Sequence, residues 1–157
     1  MTERAPFVVH RLRVEDAVLA VRAIREIKRH GFAEAVSMRT VPEMQAWLSD
    51  PRHVLLVATD VEDPIGFALG YVLERIDGVR PMLFFYEIEV VEPFRRRGVG
   101  RALVTAIQEV GRQENVVRVW VQTSPDSVPA RALYHGCGGK ERDEVDVLYV
   151  WTNGRDG

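Results

Sequence analysis

Two groups of residues in this chain have types and spacings suited to chemistry. The first is Glu92-Pro93-Phe94-Arg95-Arg96-Arg97-Gly98-Val99-Gly100-Arg101, which sits between an apolar, strand-like run and an amphipathic, helix-like one. Gly98 and Gly100 let the backbone come close to a ligand. The first amides of the following helix point outward without partners, and the helix dipole adds partial positive charge, so a pyrophosphate fits. Spacing alone leaves a second possibility open, a solvated turn of arginines that the glycines merely tighten. The Gly-Lys-Ser/Thr ending of a nucleoside-triphosphate P-loop and the Gly-x-Gly-x-x-Gly dinucleotide fingerprint are both missing, which argues against ATP and NAD.

The second group is Glu87 and Glu89, two apart in a run read as a strand. That spacing projects both carboxylates to one face and Ile88 and Val90 to the other. Paired carboxylates on a central strand are costly to bury without a purpose. They can take a proton from an ammonium group, hold such a cation, or bridge to a basic side chain as a structural ion pair.

These groups need a frame. Phe7–Leu12 reads as a strand, and Ala17, Val21, Ala23, Ile24 and Ile27 recur at helical spacing from Glu15 to Gly31. Thr40 three residues before Glu43, with Pro42 between, predicts a capping box for a second helix that ends near Asp50-Pro51. His53–Thr59 and Ile65–Glu74 form a hairpin around a turn at Asp60–Pro64, and Asp77-Gly78 turns the chain again. Met82–Val91, Gly98–Arg112 and Val116–Thr123 follow as a β-α-β crossover, expected to be right-handed with its crevice at the carboxyl ends of the strands. A short helix at Val128–His135 and a closing strand at Glu144–Trp151 complete the reading. The order β-α-α-β-β-β-α-β-α-β predicts an α/β fold, a mixed central sheet with helices on both faces, with residues 1–157 forming one domain.

Composition narrows the function classes. Lys and Arg number 21 against 23 Asp and Glu, a net charge of −2, so no global positive field points to nucleic acid or an acidic membrane. No run approaches the roughly 20 apolar residues of a membrane span, and Met1–Pro6 does not open a signal peptide. A single cysteine, Cys137, excludes an internal disulfide and suits a reducing compartment, with the cytoplasm the expected location. His10, His30, His53 and His135 lack metal-ligand spacing, so no metal is expected.

The loop and the last helix together carry a resemblance. Arg95-x-x-Gly98-x-Gly100 resembles the Arg/Gln-x-x-Gly-x-Gly/Ala motif of the GNAT superfamily of acyl-CoA-dependent N-acetyltransferases. Ser127, Ala130, Leu133, Tyr134 and Gly138 occupy the places of its Asn-x-x-Ala-x-x-Leu-Tyr-x-x-x-Gly helix. Gly70–Glu74, Phe85–Ile88 and Val119–Gln122 are further similar to the aminoglycoside 3-N-acetyltransferases, in which an Asp stands in place of Glu87. The chain departs from those enzymes before the last helix, where their Asp-rich loop is reduced to Asp126, and after Gly138, where Gly139 replaces an aromatic.

The resemblance implies a GNAT fold and transfer of acetyl from acetyl-CoA to a primary amine by direct attack in a ternary complex. The acceptor implied is a small polyamine or aminoglycoside-like molecule, and a homodimer is in keeping with many relatives. The alternatives are acetylation of a protein or peptide amine, and an acyl-CoA-binding sensor without turnover. In the implied site Val90 and Val91 offer backbone groups to the pantetheine arm and the acetyl carbonyl. Arg95, Arg96, Arg97, Gly98, Val99, Gly100 and Arg101 hold the pyrophosphate, mostly through main-chain amides, with Ser127 beside the cofactor. Tyr134 takes the place of the phenol that protonates the departing thiolate; as a residue type it is equally suited to packing in the core. An amide of Val90 or Val91 would stabilise the oxyanion, and Glu87 or Glu89 would accept the amine's proton or bind the ammonium group.

Overall fold

Apolar periodicity of two kinds builds the molecule, and a computed structural model describes residues 7–28, 38–142 and 148–151. Five strands, β1 (Val8–Arg11), β2 (His53–Asp60), β3 (Asp63–Leu73), β4 (Met82–Val90) and β5 (Arg118–Val121), form one sheet in sequence order. The first four are antiparallel, and β5 runs parallel to β4. Interior positions of β2 and β3 are buried nearly without alternation because both faces of the sheet are covered. On one face α3 (Val99–Gln113) lays Val99, Leu103, Val104, Ile107 and Val110 against Val54, Leu83 and Phe85. On the other, α1 (Ala17–Lys28) and α2 (Val41–Leu48) pack Ala20, Ile27, Met44 and Leu48 against Leu55, Val57 and Phe67. A last helix, α4 (Val128–Gly136), contacts α3.

The mixed sheet and the helices on both faces match the sequence reading; some bounds move. Helix one begins as a 3₁₀ turn at Val14–Asp16, and its expected end at Gly31 lies outside the described residues. The Asp60–Pro64 turn shrinks to Val61 and Glu62, because Asp60 pairs directly with Asp63. Strand β5 covers Arg118–Val121 instead of Val116–Thr123, since β4 offers it a partner only from Met82 to Phe85. The closing strand expected at Glu144–Trp151 is corrected in part. Residues 143–147 lie outside the described ones, while Leu148–Trp151 are not in a strand and are largely exposed.

The capping box is present, and it sets the entry angle of α2. The Thr40 hydroxyl oxygen accepts from the Glu43 amide, and the Glu43 carboxylate accepts from the Thr40 amide at 2.7 Å. Thr40→Ala should therefore cost about 1 kcal/mol, read in urea at pH 7 as a lower midpoint with unchanged slope. The Thr40 amide, followed by its hydroxyl, holds the Glu43 carboxyl below its ordinary 4.5. A lowered folded-state value stabilises above the unfolded value and is lost as pH falls through the folded one. Alanine keeps the backbone donor and loses only the hydroxyl, so the gap between wild type and Thr40→Ala should narrow only slightly in acid.

Candidate active site

The site begins with an irregularity in β4. Leu69 of β3 pairs with Glu87 and Gly70 with Phe85, so Tyr86 is an extra residue in the ladder. The bulge coincides with the end of β4–β5 pairing at Phe85 and Val121, beyond which the two parallel strands part. The Val91 amide donates to the Ile65 carbonyl at 2.9 Å. Antiparallel alternation then turns the main-chain groups of Glu87 and Glu89 toward β3 and those of Ile88 and Val90 away from it, into the gap. This corrects the reading of Val91 as an oxyanion donor, because its amide is consumed by β3. It also adds Ile88, which the sequence reading passed over; register counted from the bulge is the signal that finds it.

The arginine-glycine loop closes one side of the gap. A 3₁₀ turn at Glu92–Phe94 leads into it, and Gly98 caps α3 at φ +86°, a left-handed backbone that suits glycine. No side chain caps the first turn of α3, so its leading amides stay open to an anion. The arginines are not equivalent. Arg95 Nε donates to the Val90 carbonyl at 2.9 Å, Arg97 lies over the Phe94 ring at 5.4 Å, and Arg101 Nη1 donates to the Gly136 carbonyl at 2.9 Å. Arg95 and Arg101 thus brace the loop and the end of α4; the expected hold on pyrophosphate rests mostly on main-chain amides, which these contacts do not occupy. Arg96, at φ +59°, makes no hydrogen bond or ion pair among the described residues. Val99 is buried beneath the turn, and Gly100 packs closely on Leu133 of α4, whose methyl would stand 3.3 Å from an added Cβ.

Helix α4 brings Tyr134 to the same sheet face as α3. Its ring meets Phe85 of β4 edge-on, with centroids 6.0 Å apart, and packs with the α3 core. The hydroxyl takes no hydrogen bond among the described residues, and burial pushes the phenol above its ordinary 10. Ser127 stands at the N-cap of α4, yet its side chain caps nothing.

On the opposite face, Glu87 and α1 meet. The Lys28 ammonium lies 3.1 Å from both Glu87 carboxylate oxygens, each side chain about a quarter exposed. Glu89 pairs in register with Phe67 one step along β4. Beside Glu87 opens a cavity of about 160 Å³ between α1, α2 and the sheet, lined by Ile24, Lys28, Arg39, Trp47, Leu69 and Tyr71 among others. Burial raises the Tyr71 phenol, an effect that the Tyr86 beside it reinforces. The sequence reading missed Lys28 and Arg39. Lys28 lies four residues beyond Ile24, on the stripe that faces the sheet, and that spacing was its only signal.

A larger recess of about 310 Å³, lined by Gln108, Arg112, Arg118 and Val119, lies at the start of β5. It is at the wrong end of the parallel pair for a ligand crevice and has no acid or nucleophile in its lining. No group of three or more His, Cys, Asp or Glu that could hold a metal forms among the described residues. Nor is any described helix long and apolar enough to cross a membrane.

Beyond Phe85 and Val121 the parallel strands no longer pair, the N-terminus of α3 carries no side-chain cap, and Tyr134 packs against Phe85. The acetyltransferase (GNAT) family model matches residues 21–138, and the chain belongs to that family; it is by class an acetyltransferase. Comparison with curated proteins gave no match. Among solved structures, an aminoglycoside acetyltransferase from an uncultured soil metagenomic sample, in complex with trehalose, superposes with a TM-score of 0.84 at 21% identity, covering 96% of this chain and 99% of that one. The aminoglycoside N-acetyltransferase AAC(6')-Iy, with a bisubstrate analogue, gives 0.71 at 18% identity over 93% and 99%. A ribosomal-protein-alanine N-acetyltransferase from Brucella melitensis biovar Abortus 2308 gives 0.69 at 15% over 92% and 99%. At these identities the likeness establishes the fold.

Proposed function

We propose that this chain transfers the acetyl group of acetyl-CoA to the primary amine of a small molecule by direct attack. The observation that carries the reading is the end of β4–β5 pairing at Phe85 and Val121, with the cavity beside Glu87 next along β4 and the uncapped first turn of α3 following that strand. In this reading the leading amides of α3 and the Arg96 guanidinium bind pyrophosphate, and the main-chain groups of Ile88 and the amide of Val90 receive the pantetheine arm and polarise the acetyl carbonyl. A neutral amine attacks that carbonyl; the C–N bond forms and the C–S bond breaks. The Tyr134 hydroxyl gives the thiolate its proton, and the amide nitrogen gives up one proton to water or to Glu89. Glu87, held by Lys28, orients the amine by accepting one of its N–H groups.

A similar structure, an aminoglycoside acetyltransferase, is known in complex with sisomicin, which supports a small-molecule amine as the acceptor. A small acceptor is also supported by the size of the cavity, about 160 Å³. The test is release of the CoA thiol with a panel of amines. Glu87→Gln should raise the acceptor KM about 10-fold while acetyl-CoA affinity stays within a few-fold. If Glu87→Gln and Glu89→Gln both kept wild-type kinetics with every accepted amine, the acid face would be structural and the acceptor site misplaced.

A further inference from the structure

The cavity beside Glu87 has the wrong charges for a polycation. Among the described residues its lining contains two cations, Lys28 and Arg39, and one carboxylate, Glu87, which Lys28 already holds at 3.1 Å. Glu43, which feels the charge of Arg39, is bonded into the Thr40 cap. Among the described residues no carboxylate of the lining is left for a second or third ammonium group, and a polyamine brings several. Arg39 itself is exposed and makes no hydrogen bond or ion pair among the described residues. A planar guanidinium at the edge of a cavity, with no carboxylate bonded to it among the described residues, is suited to a carboxylate on the ligand.

The rest of the lining is apolar and aromatic. Ile24, Met44, Leu55, Phe67 and Leu69 form its walls, and Tyr71 belongs to a run of rings that extends from it in both directions. Trp47 and His53 stack at 4.3 Å on one side of Tyr71. On the other, Tyr86 lies 5.8 Å away, edge-on. At about 160 Å³ the cavity falls below the roughly 300–1,000 Å³ of sites for drug-sized ligands. Its interior admits one ring or branched side chain.

Resting on the transferase reading above, we propose that the acceptor is a monoamine with an aromatic or branched apolar body and one carboxylate. The body fills the cavity over Leu69 and Tyr71, the amine faces Glu87, and the carboxylate is held by Arg39. The two lining cations favour this chemistry twice. They attract the carboxylate, and they disfavour a positive charge on the amine, which must be neutral to attack. Glu87 can accept an N–H from a neutral amine without giving up Lys28.

The test compares kcat/KM, by thiol release, for L-phenylalanine and L-leucine against phenethylamine and isoamylamine, which lack the carboxylate, and against spermidine and sisomicin. The acid-bearing amines should exceed their counterparts about 10- to 100-fold, the usual worth of charge-assisted hydrogen bonds, and spermidine and sisomicin should rank last. Arg39→Gln should collapse the ratio of L-phenylalanine to phenethylamine toward one. Sisomicin or spermidine as the best acceptor, or an unchanged ratio in Arg39→Gln, overturns the inference and leaves the transferase reading standing. Absence of thiol release with all six amines, in protein whose Tm rises with acetyl-CoA, sinks the transferase reading and this inference with it.

Discussion

Tyr134→Phe is expected to lower kcat about 10²-fold while leaving acetyl-CoA binding and stability nearly unchanged. The ring stays, so its edge-on contact with Phe85 and its packing against the α3 core survive. Only the hydroxyl goes, and that hydroxyl makes no hydrogen bond among the described residues whose loss would unsettle the fold. What is removed is a proton donor. General acid catalysis contributes roughly 10²–10⁴-fold, and a thiolate leaves readily enough that the lower end applies. Burial sharpens the test, because it holds the phenol protonated above its ordinary 10. A donor must be protonated to act, so wild-type kcat should persist to alkaline pH and fall only as pH passes the raised value. Tyr134→Phe should lack that limb. Steady-state kcat across pH with one accepted amine decides the matter. Equal rates and superimposable profiles would make Tyr134 a packing residue and assign the proton to water.

What the sequence could and could not reveal follows from the range of each interaction. The Thr40 cap, the apolar stripe of α3 and the β-α-β crossover around the glycine loop are local patterns, and local patterns can be read without coordinates. The parting of β4 from β5 was not legible. Tyr86 continues the alternation of its neighbours, and only pairing with β3 shows it to be the extra residue. The same dependence separates Val90 from Val91: the two are alike in sequence, but one amide faces the gap and the other is bound to Ile65. Glu87 was found as a carboxylate on the correct strand, but Lys28, 59 residues before it, could not be matched to it by spacing. An apolar run containing Leu148 and Trp151 gave a strand-like signal, yet a strand needs a partner, and Leu148–Trp151 pair with none of the described strands.

Gly98→Val is expected to remove most of the Tm rise that acetyl-CoA produces. With ligand at about 100 times its Kd, mass action adds about 2.7 kcal/mol to the native state, or roughly 5–10 °C for a chain of this size. Gly98 sits at φ +86°, where a β-branched residue costs roughly 1–3 kcal/mol. An added Cβ would meet no protein atom within 4 Å, so the side chain has room and the protein should still fold. The strain can be relieved only by turning the backbone at the N-cap of α3, and that movement takes the leading amides out of their common direction. Any side chain that stays in place fills the open side from which a pyrophosphate would approach. Gly78 separates the two consequences. It has φ +70° and equally open surroundings, but it lies in the turn before β4, away from the gap. Gly78→Val should lower Tm by a similar amount in the absence of ligand and keep the full acetyl-CoA-induced rise. Thermal denaturation of wild type and both variants, with and without acetyl-CoA, makes the comparison. An undiminished rise in folded Gly98→Val means that the phosphates bind elsewhere, whereas a rise lost equally in Gly78→Val would attribute the effect to instability and not to the loop.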